Sequence, residues 1–315
     1  MQNKFLKLLR YNRYFIRYWQ TIGLKKTLML CIHKLIGTYG TPTSIHETIV
    51  YDIGSYKTNI MNTKIEIKNE DNRNIPFVWY VPFWTNVWGG GHLTIFRFAH
   101  LLSKMGHPNY IYIYNTALAS ARQLEKNLQT ALPGNTLKVL LDPKEMPEKY
   151  LALGTTWQST YEVVKHSSYN KKFYFMQDYE SYFYAFGTES LQANASYELG
   201  FHGITGGTWL KKCYEQHGGK ADNYIFSVDP TIFYARKNIG SDIKRLFFYG
   251  RPTTERRAYA LGIEALRQIN KAYPEIEILI AGLDGLKELD FPAQLLGNLT
   301  LKQTGELYRT CDVGF

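Results

Sequence analysis

Residues 76–91 read PFVWYVPFWTNVWGGG. The apolar run Pro76–Pro82 is a buried strand, bounded by proline at each end. Gly89-Gly90-Gly91 follows, and His92–Met105 then takes helical form before the Gly106-His107 stop. A strand that passes through a glycine turn directly into a helix is the start of a βαβ unit.

The same alternation continues outward from this stretch. Strands are expected at Tyr110–Tyr114, Leu137–Leu141, Tyr150–Gly154, Lys172–Met176, Phe201–Thr205 and Tyr224–Val228. Helices are expected over Ala117–Thr130, from Thr155-Thr156-Trp157 onward, and from Gly206-Gly207 to about His217. A second block begins near Asp242, with strands Arg245–Tyr249, Glu275–Ala281, Leu299–Leu301 and Asp312–Phe315 and helices Glu255–Ala272 and Thr304–Arg309. The pattern predicts an α/β protein of two Rossmann-like, doubly wound domains facing a cleft. Their expected extents are 47–240 and 241–315, behind an N-terminal segment 1–46.

Composition and charge exclude several classes. The 315 residues are 45% hydrophobic and 20% charged, which rules out disorder and collagen-like structure. The three cysteines are far apart and have no zinc-finger spacing, which suits a reducing compartment. Net charge is +10, but residues 1–46 hold eight Lys or Arg and no acid, against 29 bases and 27 acids in the rest. A nearly neutral body argues against a nucleic-acid surface. In the N-terminal segment Phe5, Leu8, Leu9, Ile16 and Trp19 share one helical face, and Lys7, Arg10, Arg13 and Arg17 take the other. Two readings fit: a basic amphipathic helix on an anionic membrane surface, or a helix packed on the body with its basic face in water. The apolar stretch 27–37 is too short to span a bilayer, and it has no signal-peptide cleavage site.

In open α/β sheets ligands bind beyond the carboxyl ends of the strands. Gly89, Gly90 and Gly91 lie there, where a bare backbone and a helix N-terminus suit an anion. They do not form the G-x-G-x-x-G dinucleotide fingerprint, and a glycine-rich turn without a ligand fits them too. Gly250-Arg251-Pro252-Thr253-Thr254-Glu255-Arg256 also joins a strand to a helix. Arg251 and Arg256 are placed to grip a diphosphate, since guanidinium binds phosphate oxygens bidentately. The alternative is a pair of solvated arginines. Asp178 and Glu180 sit at a strand end, where carboxylates can bind hydroxyls or take a proton; a turn-capping role for Asp178 competes. His202, just before Gly203, is a further cleft candidate, though a lone histidine there is more often structural.

These motifs in this order resemble GT-B glycosyltransferases from about residue 74 to the end. The resemblance rests on Gly89-Gly90-Gly91 with Gly106-His107, on 226–233 (FSVDPTIF) as the interdomain passage, and on Gly250-Arg251 with Arg256 where a Lys is usual. Leu279-Ile280-Ala281-Gly282 and 307–313 (LYRTCDV) extend it. Thr155-Thr156-Trp157, Gln177-Asp178-Tyr179-Glu180 with Phe183, and Gly250-Arg251-Pro252 narrow it to rhamnosyltransferases of the WsaF or rhamnan-synthesis type, which build bacterial surface polysaccharides.

The resemblance implies metal-independent sugar transfer from a nucleoside diphosphate sugar, thymidine diphosphate rhamnose first, to a glycan or lipid-linked glycan. It places the protein in the cytoplasm, at the inner face of the plasma membrane if the N-terminal helix binds lipid. The family's second domain continues into an acidic E-x7-E motif. Since the chain stops at Phe315, an incomplete second domain and no turnover by 1–315 alone are expected. A glycan- or nucleotide-binding remnant and a peripheral membrane scaffold are the alternatives.

Overall fold

A computed structural model describes Tyr51 and residues 74–115, 120–166, 171–235, 243–252, 254–282 and 289–315. The N-terminal segment 1–46, with its amphipathic pattern, lies outside the described residues. The chain divides into two units between Ile225 and Phe226.

The first unit holds a seven-stranded parallel sheet. Its strands are β1 (Phe77–Val81), β2 (Asn109–Ile113), β3 (Lys138–Leu140), β4 (Leu151–Gly154), β5 (Lys172–Met176), β6 (His202–Gly206) and β7 (Lys220–Tyr224). They lie side by side in the order β3-β2-β1-β4-β5-β6-β7. The order reverses between β1 and β4, which makes that point the topological switch. Among the described residues five helices accompany them: α1 (Gly90–Lys104), α2 (Ala121–Ala131), α3 (Trp157–His166), α4 (Thr188–Ser196) and α5 (Thr208–Glu215).

Both faces of the sheet centre are covered, which is why β1, β4 and β5 carry apolar residues on both faces rather than alternating. Val78 and Tyr80 of β1 enter one core with Trp157 and Tyr161 of α3, Ala193 of α4 and Leu210 and Tyr214 of α5. Trp79 and Val81 enter the opposite core with Ile95, Phe96 and Ala99 of α1 and Leu124 and Leu128 of α2. Complete burial of each large side chain contributes about 1.5–3 kcal/mol.

The second unit holds a parallel sheet in the order β10-β9-β8-β11. Its elements are β8 (Arg245–Tyr249), α6 (Tyr259–Ala272), β9 (Glu277–Ala281), β10 (Gln294–Gly297), α7 (Leu301–Thr310) and β11 (Val313–Gly314). Leu246 and Phe248 face one core with Leu266, while Phe247 faces the other with Leu279.

Four expectations need correction. The last strand of the first unit is Lys220–Tyr224, not Tyr224–Val228; the polar run KADNY pairs with β6 at the sheet edge, while Ile225, Phe226 and Val228 are exposed. The sequence reading carried the first domain to residue 240, yet the segment from Phe226 belongs to the second unit. It packs there because Gly305 of α7 has no side chain: a Cβ would stand 2.4 Å from the Ile232 carbonyl oxygen. Arg309 Nη1 donates to that same oxygen at 2.8 Å. Residues 299–301 are not a strand; Thr300 caps α7 through a reciprocal capping box with Gln303. Finally, the helix expected from Glu255 begins only at Tyr259, after a 3-10 turn at Glu255–Arg257 and a left-handed Ala258 (φ 48°).

Candidate functional site

The carboxyl ends of β1, β4 and β5 bring the predicted residues of the first unit together. Gly89 caps α1, and no side chain caps that helix or places an acid in its first turn. Its first backbone N–H groups are therefore not taken up by a capping side chain. Gln177, just past β5, donates from Nε2 to the Gly91 carbonyl oxygen at 2.9 Å, tying α1 to the centre of the sheet.

Glu180 is buried. Its Oε2 accepts from the Trp157 backbone N–H at 2.7 Å, and its Oε1 accepts from the Tyr174 hydroxyl at 3.1 Å. Its own N–H donates to the Tyr197 hydroxyl oxygen at 2.7 Å. Ser159 Oγ accepts from the N–H groups of Thr155 and Thr156. The start of α3 is thus closed by protein groups where that of α1 is not. Tyr179 is equally engaged: its hydroxyl meets Asn194 Oδ1 at 2.8 Å and His217 Nε2 at 3.0 Å. Within Gln177-Asp178-Tyr179-Glu180, three side chains clasp neighbouring elements. Asp178 is the exposed one, with Oδ1 accepting from the Tyr179 N–H at 2.9 Å.

The structure adds two residues that the sequence reading left out. His92, in the first turn of α1, lies 3.2 Å from the Pro82 carbonyl oxygen through Nε2. A carbonyl only accepts, so Nε2 carries the proton and Nδ1 presents a lone pair. Burial holds the His92 pKa below the ordinary histidine value and keeps the ring neutral. Trp84 is buried beside it, with ring centroids 6.1 Å apart. Trp84 Nε1 has no hydrogen-bond partner among the described residues. The usable signal was a histidine immediately after Gly89-Gly90-Gly91, at the mouth of the first strand.

His202 is corrected. It is the first residue of β6, at the amino end of that strand and opposite the site, and its Nε2 lies 2.8 Å from Asp222 Oδ2.

In the second unit, Gly250 and Arg251 follow β8 directly. Gly282 follows β9 with φ +114°, and a Cβ there would lie 2.5 Å from the Gly250 carbonyl oxygen, so the two turns meet backbone to backbone. Arg251 is exposed, and its guanidinium lies over the Tyr249 ring, 5.0 Å from the centroid. Arg256 is exposed in the 3-10 turn ahead of α6. Arg256 therefore lies ahead of the first turn of α6 rather than within it. Both arginines nonetheless stand at the carboxyl end of β8, where a doubly wound sheet takes its ligand.

Residues 244–315 match the family model described as the C-terminal domain of WsaF. O-antigen biosynthesis protein RfbC of Myxococcus xanthus is 37% identical over 250 residues, which is 75% of this chain. The solved structure of a Thermobaculum terrenum O-GlcNAc transferase mutant superposes with a TM-score of 0.50 at 9% identity, covering 94% of this chain and 62% of that one. Residues 244–315 are WsaF-like, and the chain takes a GT-B fold. It spans 19% of the length of RfbC. No helix among the described residues is long and apolar enough to cross a membrane.

Proposed function

We propose that the chain is a glycosyltransferase of polysaccharide biosynthesis. In this reading it moves rhamnose from thymidine diphosphate rhamnose to a growing bacterial surface glycan. The observation that carries the reading is the Gly250-Arg251 turn at the end of β8, inside the stretch that matches the WsaF C-terminal domain. The similarity to RfbC, an O-antigen biosynthesis protein, supports the choice of polysaccharide as product.

In the transfer, the bond between the anomeric carbon and the diphosphate oxygen breaks, and a bond from that carbon to an acceptor hydroxyl oxygen forms. The departing diphosphate carries the charge that needs stabilising. Arg251 and Arg256 supply permanently protonated guanidinium groups for it. The uncapped start of α1, at Gly89-Gly90-Gly91, offers backbone N–H groups to a further anionic or hydroxyl group. Asp178 binds acceptor hydroxyls or receives the acceptor proton. Glu180 works at one remove, as a positioning residue that holds α3 and with it the wall of the site. Membrane attachment through the basic segment 1–46 completes the proposal. Salt-sensitive sedimentation with anionic liposomes tests that part.

The deciding experiment is calorimetric titration with thymidine diphosphate, uridine diphosphate and their sugar conjugates, joined to mass spectrometry of rhamnose-containing acceptors. Binding of a nucleoside diphosphate that weakens in Arg251→Ala supports the proposal. Failure to bind any nucleoside diphosphate overturns it.

A further inference from the structure

One feature of the first unit plays no part in the transfer chemistry. The Tyr179 side chain is immobilised at its hydroxyl. Asn194 Oδ1 only accepts, so the phenol donates there, at 2.8 Å, and takes a hydrogen bond from His217 Nε2–H at 3.0 Å. Two further rings stand edge-on to this fixed one. Tyr182 lies 4.8 Å away at 63°, and Trp209 lies 6.2 Å away at 65°. Both face solvent, at 68% and 57% exposure. Trp209 is the second residue of α5, just past the end of β6, and Tyr182 follows the end of β5. The pair therefore sits at the carboxyl edge of the sheet, on the same side as Gln177 and Asp178.

Large aromatic rings held open on a rigid mount expose apolar area that folding ordinarily removes. Asp178, next to Tyr179 in sequence, carries an exposed carboxylate that accepts from the Tyr179 N–H at 2.9 Å. Ring faces beside a fixed acceptor match a pyranose, which offers an apolar C–H face and donating hydroxyls at its rim. The same carboxylate disfavours phosphate, whether from a nucleic acid or an anionic lipid headgroup. We propose that Tyr182 and Trp209, mounted on Tyr179 and flanked by Asp178, form a stacking site for a neutral pyranose unit of a glycan chain. The proposal rests on the transferase reading for its role, as the place where the acceptor glycan is held. The site itself is defined by these rings and the Asp178 carboxylate.

The test uses the full chain with a panel of neutral polysaccharide fragments (rhamnan, mannan, glucan, galactan) and, separately, phosphatidylglycerol vesicles. Binding is followed by acrylamide quenching of tryptophan fluorescence, with Trp209→Phe identifying the contribution of that ring. At least one neutral glycan should shield Trp209. Tyr182→Ala and Trp209→Ala should each weaken its binding about tenfold, Tyr182→Phe and Trp209→Phe should retain it, and nucleoside diphosphate affinity should not change. Shielding by vesicles and by no glycan, no shielding at all, or equal glycan affinity in both alanine variants overturns the proposal. Glycan binding without nucleoside diphosphate binding would instead remove the transferase reading and leave the stacking site standing.

Discussion

The Glu180 carboxylate receives the backbone N–H of Trp157 at 2.7 Å, across 23 positions of sequence. This bond joins the turn after β5 to the first residue of α3. The Tyr174 hydroxyl occupies its other oxygen. Truncation in Glu180→Ala leaves a buried N–H and a buried hydroxyl unpaired. The expected loss is about 1.5–3 kcal/mol of stability, the range for hydrogen bonds to a charged group. Urea unfolding measures it; an unchanged midpoint would show that the helix start does not depend on Glu180.

Arg251→Ala should weaken nucleoside diphosphate binding by about 1.5–3 kcal/mol, the contribution of a charge-assisted hydrogen bond. Arg251→Lys should recover only part of it, because an ammonium keeps the charge but loses the planar fork. Calorimetry on the three proteins decides. Equal affinities would remove Arg251 from the donor site.

His92 makes stability depend on pH. Its pKa in the folded protein lies below the unfolded value near 6.5 because burial penalises the charged ring. Below that unfolded value the unfolded chain binds a proton that the folded protein resists. The contribution of His92 is therefore complete above about pH 6.5 and is lost as pH falls through the depressed folded pKa. Denaturant unfolding at several pH values should show wild type losing more stability on acidification than His92→Gln. Parallel pH profiles would contradict this.

Ala258 and Gly282 should respond to opposite substitutions. Ala258 holds φ +48°, a left-handed conformation that costs an ordinary residue about 1 kcal/mol. Ala258→Gly should therefore raise the melting temperature, or at the least leave it unchanged after the entropy glycine adds to the unfolded chain. Gly282→Ala should lower it sharply, since the new methyl would meet the Gly250 carbonyl oxygen at 2.5 Å. Differential scanning fluorimetry reads both. A fall on Ala258→Gly would mean that its methyl group packs productively.

The first βαβ unit was legible before any coordinates. Val78, Trp79, Tyr80 and Val81 form an uninterrupted apolar run, and a strand covered on both faces requires one. Where a segment's apolar content and its burial disagree, the reading slipped. Ile225, Phe226 and Val228 look like a strand and are exposed, while Lys220–Tyr224 looks like a loop and pairs with β6. The edge of a parallel sheet needs backbone partners rather than apolar side chains, and pairing partners are not written locally.

Sequence alone determined the alternation of strands and helices, the two-sheet architecture, the placing of Gly89-Gly90-Gly91 and Gly250-Arg251 at strand ends, and the resemblance to GT-B transferases. These depend on local pattern: apolar runs, glycine turns and helical spacing. Tertiary structure alone decided which members of Gln177-Asp178-Tyr179-Glu180 turn inward. Adjacent residues in a turn have no set periodicity, so whether a carboxylate caps a helix or meets water depends on what the fold brings beside it. For Glu180 that is the N–H of Trp157, and for Tyr179 it is Asn194 and His217. Gln177 and Tyr179, on either side of Asp178, are held by Gly91 and by Asn194 and His217, and Asp178 itself stays exposed.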